Sequence, residues 1–402
     1  MAMQVSVMQP EMTTQHSHSA DASALSWPSS ASENWKFTPL DKLELSRFTP
    51  VSDSHNAGVG GNTQNQNSLC FDNGFLVSQP ALEAAVQISR LTSEDPALKN
   101  WLSYLPEGHH LSHLLAANLG DIILITVEDG AAIEAPVHLD YTGSETEHAS
   151  HPLVLISVGK AAECRFVEHY HSENGLSAPV LIAELAEDAR MHIAKLQEEA
   201  AATTHLGLSV YKLASRAYVN GFTLSTGAKL ARSEAHLHFA DKDAQMSLNA
   251  IYLGADEQHH DITTVTHHAH PSCASNQVIR GVLADQSHGV FQGKVCVAPD
   301  AQKTDGQQMS RVLLLSRDAV ADAKPELEIF ADDVVCSHGA TVGELDEVLM
   351  FYLKSRGIHD DEARAMLIQA FLADALDEIE DEALKTLLTH HVDRWTSGYQ
   401  SA

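Results

Sequence analysis

The sequence predicts a mainly β protein with helices gathered towards its two ends. From residue 121 to about residue 335, short apolar runs rich in Val, Ile, Leu and Thr alternate with turns of small and acidic residues. No convincing helical window of ten or more residues interrupts them, and length is the criterion that separates strands from helices. After Thr341 the period changes, and apolar residues recur three and four positions apart.

In chain order, residues 1–32 are rich in Ser, Ala, Met, Thr and Gln and poor in large aliphatics. Such a segment buries too little apolar surface to offset its ordering entropy, so a disordered tail is expected. Residues 33–120 read as a helical and mixed region. Residues 80–86 look helical, and residues 96–102 start as a helix with Pro96 in its first turn.

Residues 121–340 form the β region. Residues 122–127, 153–158 and 179–183 are apolar strands, and residues 235–240 and 245–251 alternate more cleanly. Turns are expected at 187–189, 230–232 and 242–244. A sandwich or barrel fits this texture, and so does a parallel β-helix of stacked coils. Ala132, Ala162, Ala189, Ala217 and Ala244 fall 27 to 30 residues apart, which suits stacked coils. Alanine is too common for that spacing to choose between the two.

Residues 341–402 read as three helices. The first runs over 344–356 and is closed by Gly357 as its C-terminal cap. Asp360 caps the second, with Ala363, Met366, Leu367, Ala370 and Phe371 on one face. The third, over 381–395, carries Leu384, Leu387 and Leu388.

The 402 residues carry 25 Lys and Arg against 54 Asp and Glu, a formal charge of −29. That excess argues against nucleic acid or an anionic membrane surface as a partner, because both are held by basic side chains. No apolar run approaches the roughly 18 residues of a membrane span. The five cysteines, Cys70, Cys164, Cys273, Cys296 and Cys336, are scattered and show neither a disulfide framework nor zinc spacing. A reducing compartment follows, and with no secretory or Arg-rich leader pattern the expected address is the cytoplasm. Cys164, Cys273 and Cys296 sit in strand-like segments and read as small core residues.

The densest chemistry lies at residues 331–343, where Cys336 and His338 stand two apart as the strand texture ends. Side chains two apart on an extended segment share a face, so the pair could serve one ion or one reacting atom. Gly339 and Gly343 would relax the backbone around a turn there. A thiolate and an imidazole are good ligands for iron and zinc. The same pair also fits a buried cysteine beside a histidine that caps a turn. A second constellation is His259, His260, His267, His268 and His270, near Cys273. On a strand His268 and His270 would share a face, with His260 approaching from a neighbouring coil; solvent-facing polar residues are the plainer reading. There is no phosphate-cradling loop of either the Walker or the dinucleotide type, so any nucleotide would be handled by a partner.

The 331–343 stretch, read on through residues 349–358, resembles the C-terminal signature of the SufB/SufD family of iron–sulfur cluster assembly scaffolds. Residues 292–294, 303–307 and 324–329 lead into it, residues 33–40 resemble the family's N-terminal opening, and residues 152–156 match more loosely. The Cys-Ser-His tripeptide and the absence of a Cys-x-x-Cys motif resemble the SufD side.

The resemblance implies a right-handed parallel β-helix flanked by an N-terminal mixed region and a C-terminal helical domain. It implies a non-catalytic subunit with no permanently bound cofactor, which pairs with a SufB-type subunit as a heterodimer and docks a SufC-type ATPase. A homodimer is plausible for the chain alone. Cys336 and His338 would face an iron ion or a transient iron–sulfur cluster at the subunit interface, with His260 as a secondary candidate. Residues 343–357, among them Glu344, Tyr352, Arg356 and Gly357, would contact the ATPase. The helices would also cover the end of the β-helix. The alternative reading is a carbohydrate-active enzyme on a β-helix. Nucleophilic catalysis by Cys336 and His338 is the poorer third, because no orienting group is evident.

Overall fold

The computed structural model describes residues 28–41, 43, 48–50, 68–117, 119–143 and 147–399. The tail expected over 1–32 lies, as far as residue 27, outside the described residues. The first strands are β1 (Thr49–Pro50), β2 (Ser68–Asp72), β3 (Phe75–Ser78) and β4 (Val86–Leu91). Helices α1 (Pro96–Leu102) and α2 (His110–Ala117) follow. Pro96 does open α1, with the Asp95 carboxylate accepting from the Ala97 N–H. Residues 80–85 are not helical, and Val86 begins β4 instead. The local apolar spacing there yields to pairing with the next strand.

The β region then runs through β5 (Ile122–Val127), β6 (Val137–Thr142), β7 (His148–Ser150), β8 (Leu153–Val158) and β9 (Glu163–Tyr170). It continues with β10 (Gly175–Ser177), β11 (Val180–Leu185), β12 (Arg190–Gln197), β13 (Thr203–Leu213) and β14 (Tyr218–Ser225). Longer strands complete it: β15 (Leu230–Phe239), β16 (Gln245–Gly254), β17 (His259–His268) and β18 (Ala274–Leu283). The last are β19 (His288–Val297), β20 (Asp305–Leu314), β21 (Val320–Ile329) and β22 (Val335–Glu344).

Two sheets result, one in the order β21-β19-β17-β15-β13-β11-β8-β5-β4 and the other β22-β20-β18-β16-β14-β12-β9-β6-β2-β3. Except at β3 and β4, neighbouring strands of each sheet pair in parallel, so the chain alternates between the sheets and climbs one step per coil. This is the parallel β-helix, not the sandwich or barrel. The alanine spacing marks one of its corners. Asp188, Arg216, Asp243 and Ser272 turn the chain in the left-handed region, with φ between +56° and +61°. Each is followed by a small buried residue: Ala189, Ala217, Ala244 and Cys273. Ala162 continues the column, whereas Ala132 is exposed. Residues 230–232, expected as a turn, open β15.

Both outer faces are covered. Trp35, Leu98, Trp101 and Leu111 pack on the β8, β11 and β13 side of the first sheet. Three C-terminal helices follow: α3 (Glu347–Ser355), α4 (Asp360–Leu376) and α5 (Glu382–Tyr399). Ile368, Leu372, Leu384 and Leu388 of α4 and α5 pack on Phe222, Leu224, Ile251 and Val282 of the second sheet. The apolar face of α4 is thus rotated from the expected one, and Met366 is 43% exposed. These helices lie along the side of the coil stack and leave its C-terminal end open. At that end β21 and β22 pair on one edge only, and Phe330, Val335 and Val342 are exposed at 68%, 66% and 48%. Antiparallel pairing of β3 with β2 and of β4 with β5 finishes the opposite end.

Candidate functional site

The site is built by the last coil. Cys336 and His338 are on β22 itself, eight and six residues before the strand ends at Glu344. Gly339 and Gly343 are extended within the strand and do not form the expected turn, because β22 pairs along its whole length with β20. The two side chains share the face that continues the inner rows of the coil below, Cys336 standing opposite Gly306 and His338 opposite Gln308.

Gly306 supplies space, since a Cβ there would sit 3.3 Å from the Cys336 Sγ. The thiol is half-buried, and burial raises its pKa. His338 is exposed. Beneath it Gln308 is 2% exposed, and neither its amide oxygen nor its nitrogen has a hydrogen-bond partner among the described residues. One coil further down, Gln277 accepts from Thr264 at 2.6 Å and donates to Thr266 at 3.2 Å. The run of satisfied side-chain amides thus ends at Gln277, one coil below Gln308.

The histidine-rich stretch does not converge. His260 and His268 lie on the same strand, β17, and both face the interior rather than solvent; His270 lies beyond the strand. The His260 Nδ1 is 2.8 Å from the Ser225 hydroxyl, and burial pushes its pKa down to about 3. His260 begins a strand of the first sheet, at the opposite corner from the start of β22. His268 ends that strand at the Cys336 corner, with Nε2 2.9 Å from Ser275 Oγ. Ser275, Gly306 and Cys336 then stack in one column of register partners. Sequence spacing could not reveal this column, because its members come from three coils.

Cys164 and Cys273 are small buried residues, as expected, with burial raising their thiols to about 12 and about 11. Cys296 differs. It is half-exposed on the outer face, 3.6 Å from the Glu328 carboxylate. A cavity of about 50 Å³ lies between the sheets beside Lys195, Ser209 and Tyr211.

The expected ATPase contacts lie around α3, which has no buried residue. Val348, Phe351 and Tyr352 are exposed at 75%, 74% and 53%. The Arg356 guanidinium is 5.2 Å from the Tyr352 ring centre. Gly357 ends the helix at φ +88°, the left-handed cap that glycine suits. Glu344 is the exposed last residue of β22.

At the other extreme of the chain, residues 33–40 lie on the outer face of the first sheet. The Trp35 ring covers Arg232 at 4.1 Å. The Thr38 hydroxyl donates to Asp261 at 2.5 Å, and Lys324 of β21 pairs with Glu33 at 3.0 Å.

Residues 141–371 match the model of the SUF system FeS cluster assembly SufBD core domain. The chain is 29% identical to the Escherichia coli iron–sulfur cluster assembly protein SufD, over 89% of this chain and 86% of that protein. It is 29% identical to the chloroplastic protein ABCI7 of Arabidopsis thaliana, over 91% of this chain and 82% of the relative. The Bacillus subtilis SufD is 27% identical over 71% of this chain and 67% of its own length. No helix among the described residues is long and apolar enough to cross a membrane.

Proposed function

The chain belongs to the SufBD family of iron–sulfur cluster assembly proteins, and from that membership we propose that it works as a SufD-like, non-catalytic scaffold subunit. The observation that carries the proposal is the open end of the coil stack. Two adjacent strands, β21 and β22, present unpaired edges there together with exposed Phe330, Val335 and Val342. A sheet edge of this kind is a template for another chain's strands. In this reading a SufB-type subunit extends both sheets, and a second copy of this chain takes its place when that partner is missing.

Cys336 and His338 then face the partner and share with it the iron or the nascent cluster that is the cargo. Two ligands are too few to close a tetrahedral site, so the remainder come from the other subunit. Helix α3 offers the kind of apolar ridge that seats in a groove, and a SufC-type ATPase is the occupant this reading assigns. Movement driven by ATP hydrolysis would open or strain the shared interface.

The experiment is light scattering after size exclusion on the chain alone and with a SufB-type subunit. Val335→Lys and Phe330→Lys are expected to keep the thermal melt of the wild type and to abolish association. Association unchanged in the double variant would place the contact elsewhere.

A further inference from the structure

The outer face of the second sheet carries a group of donors that the scaffold reading leaves unused. Asp140 of β6 and His169 of β9 are register partners, and His171 follows on the same face two residues later. The His171 backbone N–H still donates to the Tyr141 carbonyl at 3.1 Å, which keeps the segment extended. One ligand atom from each of the three lies within 4.8 Å of the other two.

The His169 ring is fixed from behind. Its Nε2 lies 3.1 Å from the Glu198 carboxylate. Glu198 is partly buried and also takes His391 and Arg394. With Nε2 directed at Glu198, the other ring nitrogen, Nδ1, faces the Asp140 carboxylate at 4.0 Å, too far for a hydrogen bond. The gap suits an ion held at about 2.1 Å from each, after small side-chain shifts. The exposed His171 ring lies beside that of His169, centroids 4.7 Å apart.

We propose that Asp140, His169 and His171 bind one divalent first-row transition ion, with water completing the shell and Glu198 orienting His169 from outside it. Two imidazoles and one carboxylate favour Fe²⁺, Co²⁺, Ni²⁺ or Zn²⁺ over Mg²⁺ or Ca²⁺. A carboxylate behind a ligating histidine is the usual outer support of such sites. Because Glu198 also holds His391 and Arg394 of α5, the ion would stiffen the contact between the coil stack and its last helix. The other compact group, His109, Glu234 and His236, makes a weaker candidate. There Glu234 is already engaged, one oxygen standing 2.8 Å from both imidazole Nε2 atoms and the other 2.7 Å from Arg232.

The test is anaerobic Co²⁺ titration of the full chain, with any affinity tag removed, followed by visible ligand-field absorption. The wild type is expected to bind one equivalent. His171→Ala and Asp140→Asn should weaken binding at least tenfold, with the metal-free melt unchanged. Glu198→Gln should weaken it about tenfold to a hundredfold. Cys336→Ala and His338→Ala should bind as the wild type does. Equal affinity in the wild type and His171→Ala, or loss of the spectrum in His338→Ala instead, would overturn the proposal.

Discussion

Gly306 lies opposite Cys336 in the β20–β22 ladder, and the Cys336 thiol occupies space that a side chain at Gly306 would contest. The half-buried state of that thiol is therefore set one coil away.

Reaction with a small alkylating agent should sort the cysteines accordingly. Cys336 reacts in the folded chain, whereas Cys164 and Cys273 stay protected, because a buried neutral thiol is a poor nucleophile. Gly306→Val should press the Cys336 thiol outward, return its pKa towards the ordinary 8.5 and speed its reaction. Peptide mapping after timed alkylation checks the order. Labelling of Cys164 before Cys336 would contradict it.

The clamp around Arg232 should be a main source of stability where residues 33–40 dock on the coil stack. Its guanidinium is fully buried, pairs with Glu234 and Asp261 at 2.7 and 2.5 Å, and is covered by Trp35. Arg232→Met leaves two buried carboxylates without their cation, which should cost about 3–5 kcal/mol. Urea unfolding measures the loss. A change below about 1 kcal/mol would mean that water already reaches the pair.

Stability should fall on mild acidification. Burial depresses the His151 pKa to about 4 and that of His260 to about 3, against an ordinary value near 6.5. The unfolded chain takes up these protons first. The stabilisation from each buried neutral ring is thus complete above about pH 6.5 and lost as the pH falls towards the folded pKa. Each contributes about 1.4 kcal/mol per pH unit in that window. His151→Asn should reduce the stability drop between pH 6.5 and 5 by about 2 kcal/mol. A slope equal to that of the wild type in unfolding titrations would show His151 to be charged when folded.

The strands and most of the helices were legible from local pattern. Alternation along one strand is a property of neighbouring residues, and so are the Pro96 start and the Gly357 stop. The coil corners were half-legible: the alanines of one column were visible, but Cys273 in the same column looked like any strand cysteine. What local pattern could not supply was contact between coils. His260 entered only as a secondary candidate through the family resemblance, and it stands at the opposite corner from Cys336, whereas Ser275 and Gly306 share the Cys336 column. The helices were expected over the open end because an end normally needs cover. Their apolar faces instead match the flank formed by Phe222, Ile251 and Val282. His169 and His171 carried a visible alternating signal, but Asp140 and Glu198, which give it meaning, lie on other coils.

The most direct measurement is anaerobic reconstitution, with iron and sulfide, of the chain co-expressed and purified with a SufB-type and a SufC-type subunit, comparing the wild type with His338→Ala. The account predicts a complex of the same stoichiometry in both and cluster absorption in the wild type alone. Equal cluster absorption in the variant would contradict the assignment of the Cys336–His338 end as the assembly site.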